Sequence, residues 1–222
     1  PTTIYVGEMV DHQKYREEFD KVYPKYDYEE TSWDNTVSEN LGKPFIHLED
    51  NLDSLFYEIS LHAKKYVCDV LEYKDIFDYV ITKSWLSRAR RPDNEIRWHF
   101  HSTSHISFVY YLSTPDNSHA LEFQNTCTKN DLFKAMNVED EDTADRNMVK
   151  NFNPLNSPAF YMHPIEGSLF LFPSSLSHHT RFMGGDFKGE RLGIVGDITL
   201  MLKEDQLNFS MGYIDNKYWK KY

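Results

Sequence analysis

The chain has 222 residues, of which 40% are hydrophobic and 15% aromatic; this suits one domain with a packed core and excludes intrinsic disorder as the default. Its 24 basic and 35 acidic side chains give a formal net charge of −11. That sign opposes a phosphate backbone, so a general nucleic-acid binder is not expected.

At the N-terminus, PTTIYVGEMVD has neither the charged nor the apolar region of a secretory leader. No run approaches the ~20 apolar residues that span a bilayer. The two cysteines, Cys68 and Cys127, form no disulfide framework and no CxxC pair, which fits a reducing compartment. The expectation is a soluble cytoplasmic protein with no membrane partner. Asp11 is placed to cap a short helix with Tyr15, Phe19 and Val22 on one side. Asp50 or Asn51 is a stronger cap, because Leu52, Leu55, Phe56, Ile59, Tyr66, Val67 and Val70 follow at helical spacing. Cys68 falls within that stripe and is expected in the core. Residues 1–75 are therefore predicted to be mostly helical and to support a sheet.

From residue 79 the pattern changes to β-branched and aromatic runs bounded by turn residues: Tyr79 to Leu86, Ile106 to Ser113, Ala120 to Phe123, Ser168 to Phe172, and Leu192 to Leu202. Strands with few helices between them favour an antiparallel sandwich or barrel over a βαβ fold. Residues 79–202 are predicted to form this core, and residues 203–222, rich in aromatics, to pack back on it. The stretch from Cys127 to Pro164 interrupts the strands with the acidic run Glu139 to Asp142 and the segment NFNPLNSP. An insertion of that length suits a lid or substrate-facing loop, a disordered acidic loop being the other reading. Arg88, Arg90 and Arg91 form the one dense basic run, equally suited to a solvated strand end or an anion site.

The ten histidines are not scattered. His99, His101 and His105 lie within seven residues, and His178 and His179 are adjacent. On an extended strand, residues i and i+2 point to one face, so His99 and His101 can aim two imidazoles at one point. Imidazole is the commonest side-chain ligand for iron, zinc and copper. Taken alone, a His–x–His on a strand edge is more often merely solvated.

The stretch WHFHSTSHISFVYYLSTP, followed by ALEF, EGSLFLFPSSLSHH and GERLGIV, resembles the iron(II)/2-oxoglutarate-dependent oxygenases. It is most similar to the subgroup with an H–x–H motif, a "YY" strand and an FPS–x–L–x–H segment. The resemblance covers roughly residues 79–200. It implies a mainly β fold with flanking α-helices around a double-stranded β-helix, the jelly-roll or cupin-like core. It also implies iron(II), with 2-oxoglutarate as cosubstrate, dioxygen as co-reactant, and oxidation of an unidentified substrate, most commonly by hydroxylation, with release of succinate and CO2.

Carried over residue by residue, the resemblance makes His99 the first metal ligand and His178 the distal one, with His179 a neighbour. Arg191, thirteen residues beyond His178, falls where the family places the arginine that grips the far carboxylate of 2-oxoglutarate. A guanidinium matches a carboxylate as a planar fork; an ion pair with Glu190 is the plainer reading. Alternation along β-strand Ser107 to Leu112 puts Ser107, Val109 and Tyr111 on one face; if that face points into the barrel, Tyr111 and Ser107 become cosubstrate-side residues, a plain core aromatic being the other reading of Tyr111, and Tyr110 faces away and packs.

The departure from the wider family lies at His101, where a carboxylate is usual. Three explanations stand open: His101 is a ligand in a three-histidine site; it lies outside the ligands with water or substrate in the carboxylate position; or a carboxylate arrives from elsewhere, Glu122 being the nearest candidate. His105 reads as a rim residue, and Trp85, Trp98 and Arg88 as packing or pocket-shaping residues. Two other functions also stand open: a three-histidine cupin-type dioxygenase that does not use 2-oxoglutarate, and a non-catalytic jelly-roll binding module.

Overall fold

Between Phe77 and Leu202 most of the described chain is antiparallel strand. The computed structural model describes residues 2–22, 37–38, 45–125, 159–206 and 220. Among them the strands are β1 (Tyr5–Glu8), β2 (Val37–Ser38), β3 (Phe77–Ala89), β4 (Ile106–Ser113), β5 (Ala120–Gln124), β6 (Ala159–Met162), β7 (Ser168–Pro173), β8 (His178–Arg181) and β9 (Arg191–Leu202). Helices α1 (His12–Val22) and α2 (Asp53–Lys65) precede β3. One sheet has the order β1-β7-β4-β9-β3-β2 and a second the order β6-β5-β8, and every pairing is antiparallel. The segment carrying the His–x–His pair runs beside β8. His99 and His178 form an antiparallel bridge with reciprocal backbone bonds of 3.0 and 2.9 Å, and the Thr180 N–H reaches Ile96 O at 3.1 Å.

Strand alternation decides which residues each layer receives. One face of the larger sheet sends Phe108, Tyr110 and Leu112 of β4, Leu169 and Leu171 of β7, and Ile194 and Ile198 of β9 against the helices. There they meet Tyr15, Phe19 and Val22 of α1 and Leu55, Phe56, Ile59 and Ala63 of α2. The other face sends Val109, Tyr111, Phe170 and Phe172 against Leu121 and Phe123 of the smaller sheet. Two sheets closed over that second core make the double-stranded β-helix expected from the sequence.

Several local expectations change. Strand β3 runs past the expected 79–86 at both ends, and a bulge between Ile81 and Lys83 reverses its phase. Phe77, Tyr79 and Ile81 face the helices before the bulge, and Leu86 does so after it, so no single alternation spans the strand. The short strands β1 and β8 carry too few residues to show a pattern. No side-chain cap starts α2; two 3-10 turns, Ile46–Leu48 and Asp50–Leu52, lead into it, and Asp53 puts a negative charge in its first turn. A π turn over Tyr66–Val70 follows, and Val70, expected on the buried stripe, is 43% exposed. Cys68 is half-buried against the core. Strand β6 lies near the end of the expected 127–164 insertion; residues 127–158, Cys127 among them, and residues 207–219 and 221–222 lie outside the described residues. Among the described residues no helix is long and apolar enough to cross a membrane.

β9 is the strand on which the sheet turns, lying between β3 and β4. At its midpoint Gly196 pairs with Phe108 and Ser84, and an added Cβ would fall 2.5 Å from the Phe108 ring and 2.6 Å from Lys83 O. The carbonyl cannot swing away without breaking the ladder. Gly196→Ala is expected to cost about 1–3 kcal/mol, measured by urea denaturation; an unchanged midpoint would show that the strands separate freely there.

Candidate metal and cosubstrate site

Paired residues of the larger sheet line its inner face in rows. Lys83, Asp197, Ser107 and Phe172 form one row; Trp85, Val195, Val109 and Phe170 the next; Ser87, Gly193 and Tyr111 a third; and Ala89 with Arg191 a fourth. The His–x–His segment and the start of β8 cover the first row.

At that end three imidazoles converge. The ring centroids of His99 and His178 lie 4.2 Å apart, those of His99 and His101 5.3 Å, and those of His101 and His178 5.4 Å. One ring nitrogen from each falls within 4.8 Å of the others, the sole such cluster of metal-capable side chains among the described residues. Each ring is turned by a bond at Nδ1. The Nδ1–H of His99 donates to Arg97 O at 2.8 Å, that of His178 to Leu176 O at 2.8 Å, and that of His101 to Asp197 Oδ1 at 2.5 Å. A carbonyl can only accept, so the first two tautomers follow and leave Nε2 with a free lone pair. The donor set fits a metal: three nitrogens, ordered by outer hydrogen bonds, around one point.

Electrostatics agrees. Burial, then the neighbouring imidazoles His99 and His101, push His178 down to about 3. Burial likewise holds His99 below the ordinary histidine range. Both are neutral near pH 7, as ligands must be. Phe172 and Phe123 pack on His178, with centroids 4.8 and 6.2 Å away. Trp85 flanks His101 at 5.6 Å, with Lys83 Nζ 4.6 Å from the centre of the Trp85 ring.

Arg191 lies at the other end of the inner face, 3% exposed. Among the described residues its one hydrogen bond is long, from Nη1 to His119 O at 3.4 Å, and no carboxylate pairs with it. Glu190 is instead engaged by Arg90 Nε at 2.5 Å and Arg88 Nε at 3.8 Å. A buried guanidinium without an anion is costly unless something else supplies one. Tyr111 shares the inner face and is 3% exposed. Burial raises its hydroxyl to about 12, against the opposing pull of Arg191, so it is a neutral donor. Gly193 pairs with Tyr111 on that face, where an added Cβ would lie 3.1 Å from Tyr110 O and 3.8 Å from the Tyr111 ring.

The remaining sequence candidates are placed as follows. Ser107 lies at the metal end, not beside Arg191: its hydroxyl is 2.9 Å from Asp197 Oδ1, 3.0 Å from His101 Nδ1 and 3.0 Å from Ser174 Oγ. Glu122 sits on the outer face of the smaller sheet, accepting from His179 Nε2 at 2.7 Å and lying 3.6 Å from Arg181, away from the three convergent rings. Tyr110 packs among the helices and bonds His12 Nδ1 at 2.7 Å. His105 accepts the Leu200 N–H at 3.1 Å, and Trp98, 46% exposed, stacks on His179 at 4.0 Å.

Two residues went unnoticed in the sequence. Asp197 is a lone charge in the apolar run GIVGDITL, which is itself a signal, since buried strands seldom carry one without reason. His119 is wholly buried; its Nε2–H donates to Pro92 O at 2.9 Å, and among the described residues its Nδ1 has no partner.

Comparison with known proteins decides the family. The profile of the family described as "Putative 2OG-Fe(II) oxygenase" matches residues 83–197. The chain belongs to this family. This 2OG-Fe(II) oxygenase therefore uses iron(II), 2-oxoglutarate and dioxygen on a substrate, and the family assignment decides against the cupin-type and binding-module readings. No curated protein matches the chain in sequence. Solved structures share its fold. A prolyl-4-hydroxylase from Pseudomonas putida is 12% identical with a TM-score of 0.53, covering 89% of this chain and 92% of its own. The non-haem α-ketoglutarate-dependent epimerase SnoN from nogalamycin biosynthesis is 12% identical, TM-score 0.57, covering 94% and 84%. HygX from Streptomyces hygroscopicus, with nickel and 2-oxoglutarate bound, is 14% identical, TM-score 0.51, covering 96% and 92%.

His119 gives the oxygenase a pH dependence separate from the metal. Burial first, then the Arg191 charge, hold it down to about 4. The unfolded chain binds that proton near pH 6.5 and the folded one does not, so the stabilisation is present above 6.5 and is lost as pH falls toward 4. Lowering the pH from 7 to 5 is expected to cost on the order of 2 kcal/mol through this group. Urea titrations at both pH values measure it, and His119→Gln should flatten the difference; an equally steep variant would refute the assignment.

Proposed function

We propose that His99, His101 and His178 hold the iron(II) through their Nε2 atoms, and that Arg191 and Tyr111 hold the distal carboxylate of 2-oxoglutarate. The observation that carries this reading is the pairing of two incomplete sites on one inner face: three convergent imidazoles at one end and, at the other, a buried guanidinium that no carboxylate pairs with among the described residues. A dicarboxylate with a keto group beside one carboxylate satisfies both ends at once.

Iron(II) supplies, with 2-oxoglutarate and dioxygen, the oxidising power to convert a substrate C–H to C–OH as succinate and CO2 are released. The protein's own contributions are positioning and exclusion. Arg191 offers a bidentate, charge-assisted grip in a site from which water is removed. Tyr111 donates a hydrogen bond from its neutral hydroxyl to the same carboxylate. Phe123, Phe172 and Phe170 close the inner side against solvent, and the less buried side of His99 and His101, beside Trp85, is where substrate approaches. Hydroxylation is the outcome proposed. The sparse cysteines support a cytoplasmic setting.

Thermal melts of metal-free protein test the arrangement. Mn(II) should raise Tm, and 2-oxoglutarate at about 100 times its Kd should add roughly 2.7 kcal/mol, or about 5–10 °C for a domain of this size, only when metal is present. In Arg191→Ala the metal response should persist and the 2-oxoglutarate increment should vanish. A variant that retains the full increment would overturn the role of Arg191, and an increment without metal would overturn the shared site.

A further inference from the structure

The most demanding group on the inner face is Asp197. It is 4% exposed, and among the described residues no lysine or arginine pairs with it. Lys83, its cross-strand neighbour on β3, directs its ammonium over Trp85 instead. Asp197 Oδ1 accepts from His101 Nδ1 at 2.5 Å and from the Ser107 hydroxyl at 2.9 Å. Ser107 is itself 3.0 Å from Ser174 Oγ, which lies 2.8 Å from Ser104 Oγ. The loop that carries the imidazole is tied to the same place: His101 N–H donates to Ser174 O at 2.8 Å, and Ser174 N–H to His105 O at 3.0 Å. A buried carboxylate held so firmly without a full cationic partner needs positive charge nearby. The nearest place for it is the far nitrogen of the ring it touches.

We propose that Asp197 is the positioning carboxylate of the metal centre: it fixes His101 with Nε2 toward the metal and lends the centre, across the imidazole, the negative charge that a directly ligating carboxylate supplies elsewhere in the wider family. This rests on the three-histidine reading above and deepens it. The absence of a carboxylate from the His–x–His motif is then offset one imidazole further out. The charge reaches the site from β9, the same strand that brings Arg191. Ser107 and Ser174 hold the carboxylate in line, and His101 rather than Asp197 occupies the metal's ligand sphere. Carboxylates that act through a ligating histidine change metal affinity by about 10–100-fold when removed.

The test uses Mn(II) alone, titrated into the metal-free full chain, with Co(II) absorption spectra as a second readout. Asp197→Asn preserves shape and can still accept the His101 Nδ1 hydrogen bond, so it removes charge with little loss of geometry; Asp197→Ala removes both. Asp197→Asn is expected to weaken Mn(II) binding about 10–100-fold and to shift the Co(II) bands, while the metal-free melting curve stays cooperative. Made on a His101→Ala background, the same substitution should change Mn(II) affinity by no more than about 2-fold, because its route to the metal is gone. Wild-type affinity in Asp197→Asn, or a full loss that persists on the His101→Ala background, would overturn the proposal. Failure of the wild-type chain to bind Mn(II) would instead overturn the three-histidine centre itself. Should Asp197→Asn not fold, Ser107→Ala, which loosens the carboxylate without removing it, should give a smaller loss in the same direction, and no loss would count against the proposal.

Discussion

Three imidazoles can serve one cation only if each is turned so that the same nitrogen faces inward, and a ring on a flexible side chain has no such preference of its own. The fold supplies it through hydrogen bonds at Nδ1, two to the backbone oxygens of Arg97 and Leu176 and one to the Asp197 carboxylate. In two cases the acceptor is the carbonyl two residues earlier in the chain, so the local backbone alone orients the ring. His101 has no such carbonyl contact and takes its orientation from a different strand. The centre therefore forms only when the His–x–His segment, β8 and β9 have all found their register. A slip of one residue in any of them would turn the imidazole or carboxylate to the opposite face.

Both ends of the proposed site share β9. Arg191, Gly193, Val195 and Asp197 follow one another on its inner face, pairing with β3 on one side and, from Gly193 onward, with β4 on the other. The strand thus sets the span between cosubstrate anchor and metal centre as a fixed number of rows. Helices α1 and α2 contribute nothing to the chemistry directly. They cover the opposite face with a large apolar layer, whose burial at roughly 25 cal/mol per Å² offsets the cost of sequestering Arg191 and Asp197 within the barrel.

Much of the plan was legible in the sequence because it is written in periodicity. His99 and His101 at i and i+2, the apolar strands 106–113 and 168–172, and the Tyr15, Phe19 and Val22 stripe all report the face they occupy. The rest was not legible for identifiable reasons. β3 hides its alternation behind a bulge, β8 is four residues long, and α2 begins from 3-10 turns rather than a side-chain cap. Glu122 and Ser107 show what composition leaves open: Glu122 points out of the smaller sheet toward His179, while Ser107 serves Asp197 at the metal end. Asp197 is 96 residues from His101 in the chain, and only the sheet brings the two together.

An anaerobic crystal structure of the chain with Mn(II) and 2-oxoglutarate bound tests the arrangement most directly. Three protein ligands to the metal are expected, the Nε2 atoms of His99, His101 and His178, with Asp197 still on His101 Nδ1 and the distal carboxylate of 2-oxoglutarate on Arg191 and Tyr111. A carboxylate of Asp197 or Glu122 bound directly to the metal, or 2-oxoglutarate lying away from Arg191, would contradict it.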